Sequence, residues 1–125
     1  MKRIYALRGA AQCLNTEADI QKQIASVYDA MLAQNSLAES DIVSLIFSVT
    51  NDLTALNPAA ALRRSGRAEE LALFSVQEPV CSANSLERTV RFLLHCYLEE
   101  GSTAHHIYQN GAEVLRPDRS INFPI

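Results

Sequence analysis

The chain has 125 residues, 48% hydrophobic and 20% charged, which describes one domain around one core rather than a disordered or two-domain protein. A formal charge of -3 argues against the basic surface that nucleic-acid binding needs. No apolar run approaches the roughly 20 residues of a membrane span, since the longest, Ile42 to Val49, is interrupted by Ser44 and Ser48, and no signal-type stretch follows Met1-Lys2-Arg3.

In chain order, Arg3 to Ala10 reads as a strand with Ile4, Ala6 and Arg8 on one face and Arg3, Tyr5 and Leu7 on the other. Thr16-Glu17-Ala18-Asp19 is a helix start with Thr16 as N-cap. Ile20, Ile24, Val27, Met31 and Leu32 then form one helical stripe, closed by Asn35 and Ser36. Ile42 to Val49 is a buried strand. Asn57-Pro58 opens a short helix that carries Arg63 and Arg64 at its end and stops at Gly66. Leu71 to Val76 is a third strand.

Leu86, Val90, Leu93, Leu94 and Tyr97 predict a second long amphipathic helix, capped by Ser82 or Asn84 and ended by Gly101. Two short strands follow, near His106 to Tyr108 and Ala112 to Leu115, around the turn Asn110-Gly111. The order β-α-β-α-β-α-β-β predicts a mixed α/β sheet with helices on one face. Residues 1–125 form a single domain, and residues 118–125 are a tail that either folds over the molecule or stays loose.

Cys13, Cys81 and Cys96 lack metal-ligand spacing, and an odd number suits reduced thiols in a cytosol. A cytoplasmic location is therefore expected. There is no Walker loop, G-x-G-x-x-G, G-x-S-x-G or H-E-x-x-H motif. Adjacent histidines such as His105 and His106 on a strand point to opposite faces, which suits surface or edge positions better than a metal. Nine arginines stand against two lysines. Guanidinium forks grip carboxylates in two places, so the bias points weakly to an anionic small molecule, with compositional drift as the plain alternative. Arg8, Arg63, Arg91 and Arg116 fall at the ends or edges of elements. The plain reading of Arg91 is a solvated i, i+4 pair with Glu87, worth ~0.3–0.5 kcal/mol, and that of Glu78 is a loop carboxylate.

Arg8-Gly9-Ala10, Ser48 to Leu53, Asn57-Pro58-Ala59, Gln77-Glu78, Arg91 and Val114 to Asp118 together resemble the AroH-class chorismate mutases, in order and over nearly the whole chain. The resemblance implies a homotrimer whose mixed sheets pack into a pseudo-α/β barrel, with active sites at subunit interfaces. It also implies a Claisen rearrangement of chorismate to prephenate, without cofactor or metal, by electrostatic stabilisation and selection of the reactive conformer. By that resemblance Arg91 bonds the ether oxygen and a carboxylate, Arg8 binds a carboxylate, and Glu78 takes the ring hydroxyl and faces the developing positive ring. Tyr108 reaches the side-chain carboxylate, and Ser75 stands where the family often has a cysteine beside that glutamate. Arg63 and Arg116 lie around the mouth, and Leu115 and Ala59 line the pocket.

Two positions depart from the family. Ala60 replaces a carboxylate-binding lysine, and Asn57 an aromatic residue against the ligand. Such losses weaken binding more than they slow the rearrangement. A non-catalytic trimeric binder of chorismate or a related dicarboxylate is the alternative these departures motivate.

Overall fold

Leu7, Gly9 and Ala11 of the first strand are buried on one face of the sheet, and that face receives the helices. The structure is a computed structural model that describes residues 1–80 and 86–115. Strand β1 spans Lys2–Gln12, helix α1 Glu17–Gln34, β2 Ile42–Val49, α2 Pro58–Arg64, β3 Leu73–Gln77, β4 Thr89–Glu99 and β5 Ile107–Gln109. Short 3-10 turns occupy Glu39–Asp41 and Ala112–Leu115. Among the described residues the strands form one sheet in the order β3-β2-β4-β1-β5. β4 is antiparallel to both β1 and β2, whereas the outer pairs β2–β3 and β1–β5 are parallel.

Both helices pack on the same face. Ile20, Ile24, Val27 and Met31 of α1 and Ala61 and Leu62 of α2 share a core with Leu7, Leu45, Phe47, Val90, Phe92 and Leu94. Phe47 and Phe92 meet edge-on, with ring centroids 4.9 Å apart. The Thr16 hydroxyl accepts from the Asp19 N–H at 3.1 Å, and Asn57 Oδ1 from the Ala59 N–H at 2.9 Å, so both expected N-caps are present. Pro58 takes the first helical position of α2. Tyr28 is buried and donates to Glu39 Oε2 at 2.6 Å.

The predicted long helix over Leu86 to Tyr97 is instead β4. Val90, Phe92, Leu94, Cys96 and Leu98 are buried, a period of two. Leu93 and Tyr97 on the opposite face are apolar as well, and residues drawn from both faces imitate a helical stripe. Arg91 therefore sits on a strand, and its supposed helical partner Glu87 pairs with Arg88 at 2.8 Å. The caps proposed at Ser82 and Asn84 lie outside the described residues, as do Cys81, Arg116 and the tail 118–125. Gly101, with φ 89°, turns the chain after a strand rather than a helix.

The predicted strand over Ala112 to Leu115 is a 3-10 turn. Asn110 and Gly111 do turn the chain, with φ 52° and 99°. The chain then folds back so that Ala112 packs on Ala10 and Tyr108 instead of pairing with β5. β3 begins two residues later than expected, and β1 runs one residue earlier and two later.

Candidate active site

The sheet face opposite the helices carries Arg8 and Ala10 of β1, Ile46 and Ser48 of β2, and Arg91 and Leu93 of β4. Register lines several of them up. One rung runs Val76 (β3), Ser48 (β2), Arg91 (β4), Ala10 (β1) and Tyr108 (β5), each the direct partner of the next. Because cross-strand partners share a face, Arg91 stands with a serine on one side and an alanine on the other. Alanine between an arginine and a tyrosine leaves room above the sheet. A cavity of about 270 Å3 opens there, and Arg8, Ser48, Glu78, Arg91, Tyr108 and Leu115 are among its lining residues.

The end of β4 is pinned close to this cavity. The Arg88 N–H donates to both Asp52 carboxylate oxygens at 3.1 Å, and the Thr89 N–H to Thr50 Oγ1 at 3.0 Å. Glu78 follows β3 directly, its N–H donating to the Val49 carbonyl at 2.7 Å. Glu78 Oε1 accepts from the Ser48 hydroxyl at 2.6 Å and lies 3.5 Å from Arg91 Nε. The latter is an ion-pair distance without hydrogen-bond geometry. Arg91 Nε is buried and makes no hydrogen bond, although the side chain as a whole is 43% exposed. The backbone of β1 is fixed at Arg8, whose N–H donates to His106 Nδ1 at 2.9 Å.

Of the residues named from the sequence, Arg8, Glu78, Arg91, Tyr108 and Leu115 thus meet in one cavity. Ser75 does not join them. It pairs with Phe47, on the helix-bearing face, and its hydroxyl donates to Asn57 Oδ1 at 2.9 Å. Ser75 and Asn57 line a separate crevice at the β3 edge, and Ala59 follows at the start of α2. Arg63 leaves the end of α2 and donates to the Leu71 carbonyl at 3.1 Å. His95 Nδ1 is 3.2 Å from the Ser44 hydroxyl, and His105 is exposed, so the three histidines form no cluster.

Burial raises the Cys13 thiol to about 12, with Asp19 adding to the effect, and raises Cys96 to about 11, with Asp41 adding. Both remain protonated thiols at neutral pH and act as small core residues.

The family model described as chorismate mutase type I matches residues 4–119. The chain belongs to the type I chorismate mutase family. Its reaction is the rearrangement of chorismate to prephenate. It is 26% identical over 120 residues to the chorismate mutase AroH of Bacillus subtilis, covering 94% of each chain. It also superposes on a chorismate mutase from Clostridium thermocellum with a TM-score of 0.80 and 36% identity, over 88% of this chain and 98% of that one.

In this chorismate mutase, Ser48 and Ala10 are cavity residues that were not assigned a role from the sequence. Their signal is present in the strand pattern. Ser44, Ile46 and Ser48 alternate with Leu45 and Phe47, so the serines that interrupt the apolar run belong to the face carrying the cavity.

Proposed function

We propose that chorismate rearranges in the cavity around Arg91, completed by residues of a neighbouring copy in a cytoplasmic homotrimer. The observation that carries this reading is the buried Arg91 Nε, which lacks a hydrogen-bond acceptor despite its proximity to a carboxylate. A buried donor left unpaired costs about 1–3 kcal/mol. An ether oxygen that gains negative charge as its C–O bond breaks restores that interaction most strongly in the transition state, which is where binding accelerates a reaction.

The remaining roles follow from charge. Chorismate carries two carboxylates, and Arg8 and Arg91 are the cations that line the cavity among the described residues. Arg91 takes the ether oxygen and one carboxylate, Arg8 a carboxylate, and Tyr108 the side-chain carboxylate. Glu78 accepts the ring hydroxyl and faces the ring as it becomes positive, while Leu115 forms a wall. Holding both carboxylates selects the conformer in which the two carbons to be joined are already close. One C–O bond breaks and one C–C bond forms within the same molecule, so no proton need be transferred.

The proposed trimer draws support from the sheet face that bears the cavity. Phe74 is 63% exposed, Ile4 52% and Tyr97 43%, all on the side no helix covers among the described residues. Ser75, Asn57 and Ala59 lie at the β3 edge, away from Arg91, and Arg63 lies beyond them on α2. A neighbouring copy that brings this edge to the cavity supplies them, with Arg63 at the mouth. Asn57 contributes there as a capped, hydrogen-bonded helix start rather than an aromatic wall. Free, buried Cys13 and Cys96 thiols suit a reducing cytoplasm.

The test combines a chorismate-consumption assay, with product identification, and measurement of the mass in solution. Arg91→Ala and Arg63→Ala proteins are then mixed under subunit exchange. Recovery of activity above either parent is expected, because some interfaces regain both arginines. Folded trimeric parents that show no recovery would refute a shared site.

A further inference from the structure

Ser48 has no role in the chemistry above, yet it neighbours both groups that do. It is the direct cross-strand partner of Arg91 on the rigid centre of the sheet, and its hydroxyl donates to Glu78 Oε1 at 2.6 Å. That same oxygen stands 3.5 Å from Arg91 Nε without forming a hydrogen bond. A carboxylate so near a guanidinium ordinarily closes into a bidentate pair with two parallel N–H···O bonds. Here the closure is incomplete, and the hydrogen bond that Oε1 does accept comes from Ser48.

We infer that Ser48 is a positioning residue that holds Glu78 off Arg91, so that the guanidinium stays available to chorismate. The inference rests on the roles proposed above for Arg91 and Glu78. A serine hydroxyl is suited to this task because it is short and carried by a strand. Its one proton is committed to Oε1, and no described residue donates to Oε2, which remains open to the ring hydroxyl. Without Ser48, the free enzyme settles into a closed Arg91–Glu78 pair that the substrate must open. Apparent affinity then falls in proportion to the fraction of open sites, whereas the complex, once formed, has its charges arranged as before. The signature is therefore a change in KM rather than kcat.

Ser48→Ala is expected to raise KM for chorismate about tenfold, the scale of one hydrogen bond to a charged group, while kcat changes less than about threefold. Ser48→Thr keeps the hydroxyl and restores KM. In a Glu78→Gln background the neutral amide cannot close onto Arg91 as an ion pair, so Ser48→Ala no longer raises KM. Thermal midpoints verify that each variant is folded. An equal KM rise in both backgrounds, or failure of Ser48→Thr to restore KM, overturns the role of Ser48 and leaves the site reading standing. If Glu78→Gln alone leaves both kcat and KM unchanged, the role of Glu78 fails, and the inference about Ser48 falls with it.

Discussion

Gly9 lies so close to Val27 that a Cβ added to it would stand 3.0 Å from Val27 Cγ1. The same carbon would meet the Ile107 carbonyl oxygen and Met31 Sδ, each at 3.2 Å. β1 is therefore clamped between α1 and β5 at the residue that separates Arg8 from Ala10. Gly9→Ala is expected to lower stability by about 1–3 kcal/mol, the range for overfilling a packed core. Urea unfolding measures this, and an unchanged midpoint would mean that α1 yields without cost.

With the role proposed for it, Arg91 is expected to contribute to the transition state more than to the fold. Replacement by the neutral Gln is expected to cost about 3–4 kcal/mol in the barrier, or roughly two to three powers of ten in kcat. Thermal stability is expected to hold or rise, because the side chain is 43% exposed, its Nε has no hydrogen bond to lose and a buried unpaired donor is removed. Loss of only a few-fold in purified, folded protein would remove Arg91 from its assigned role.

No group need donate or accept a proton while the ether bond breaks, so kcat is expected to be flat from about pH 6 to 8. A bell-shaped profile in that window would point to acid–base chemistry instead. Rates measured at saturating chorismate across this range decide between the two.

Alkali is expected to act on the fold through residues that do not line the cavity. Burial, followed by the hydrogen bond to Glu39, raises the Tyr28 hydroxyl above its usual value, and burial raises Cys13 to about 12 from 9.0. The unfolded chain releases these protons at the ordinary values while the folded chain retains them. Stability is thus fully present below about pH 9 and declines as pH rises beyond it. Denaturant unfolding between about pH 7.5 and 10 should show that decline, and Tyr28→Phe and Cys13→Ala should each make it shallower. Equal slopes in the variants and the parent would exclude both groups as its source.

Much of the fold was legible because its signals are local. Thr16 and Asn57 cap their helices within three residues of sequence, and Ile20, Ile24, Val27 and Met31 mark the buried side of α1 without reference to anything else. Arg8, Glu78, Arg91, Tyr108 and Leu115 were also named from the sequence, through the ordered resemblance rather than through periodicity, and they line one cavity. β4 misled because Leu93 and Tyr97 are apolar on the face away from the helices. A strand with apolar side chains on both faces loses its alternation and offers a helical spacing by accident. Likewise, the turn at Asn110-Gly111 was readable, but its consequence was not, since the packing of Ala112 on Ala10 joins residues about a hundred positions apart.

The sequence alone therefore determined the starts of α1 and α2, the absence of familiar nucleophile and nucleotide motifs, and the family to which the ordered residues point. Only the tertiary structure decided that Arg91 stands between Ser48 and Ala10, that Glu78 lies 3.5 Å from it while accepting from the Ser48 hydroxyl, and that Ser75 faces away toward Asn57. The reason is physical. Caps and helical stripes act within a turn or two of the chain, whereas the neighbours of a strand residue are set by register with segments far away in sequence, and a shift of one residue sends every side chain to the opposite face.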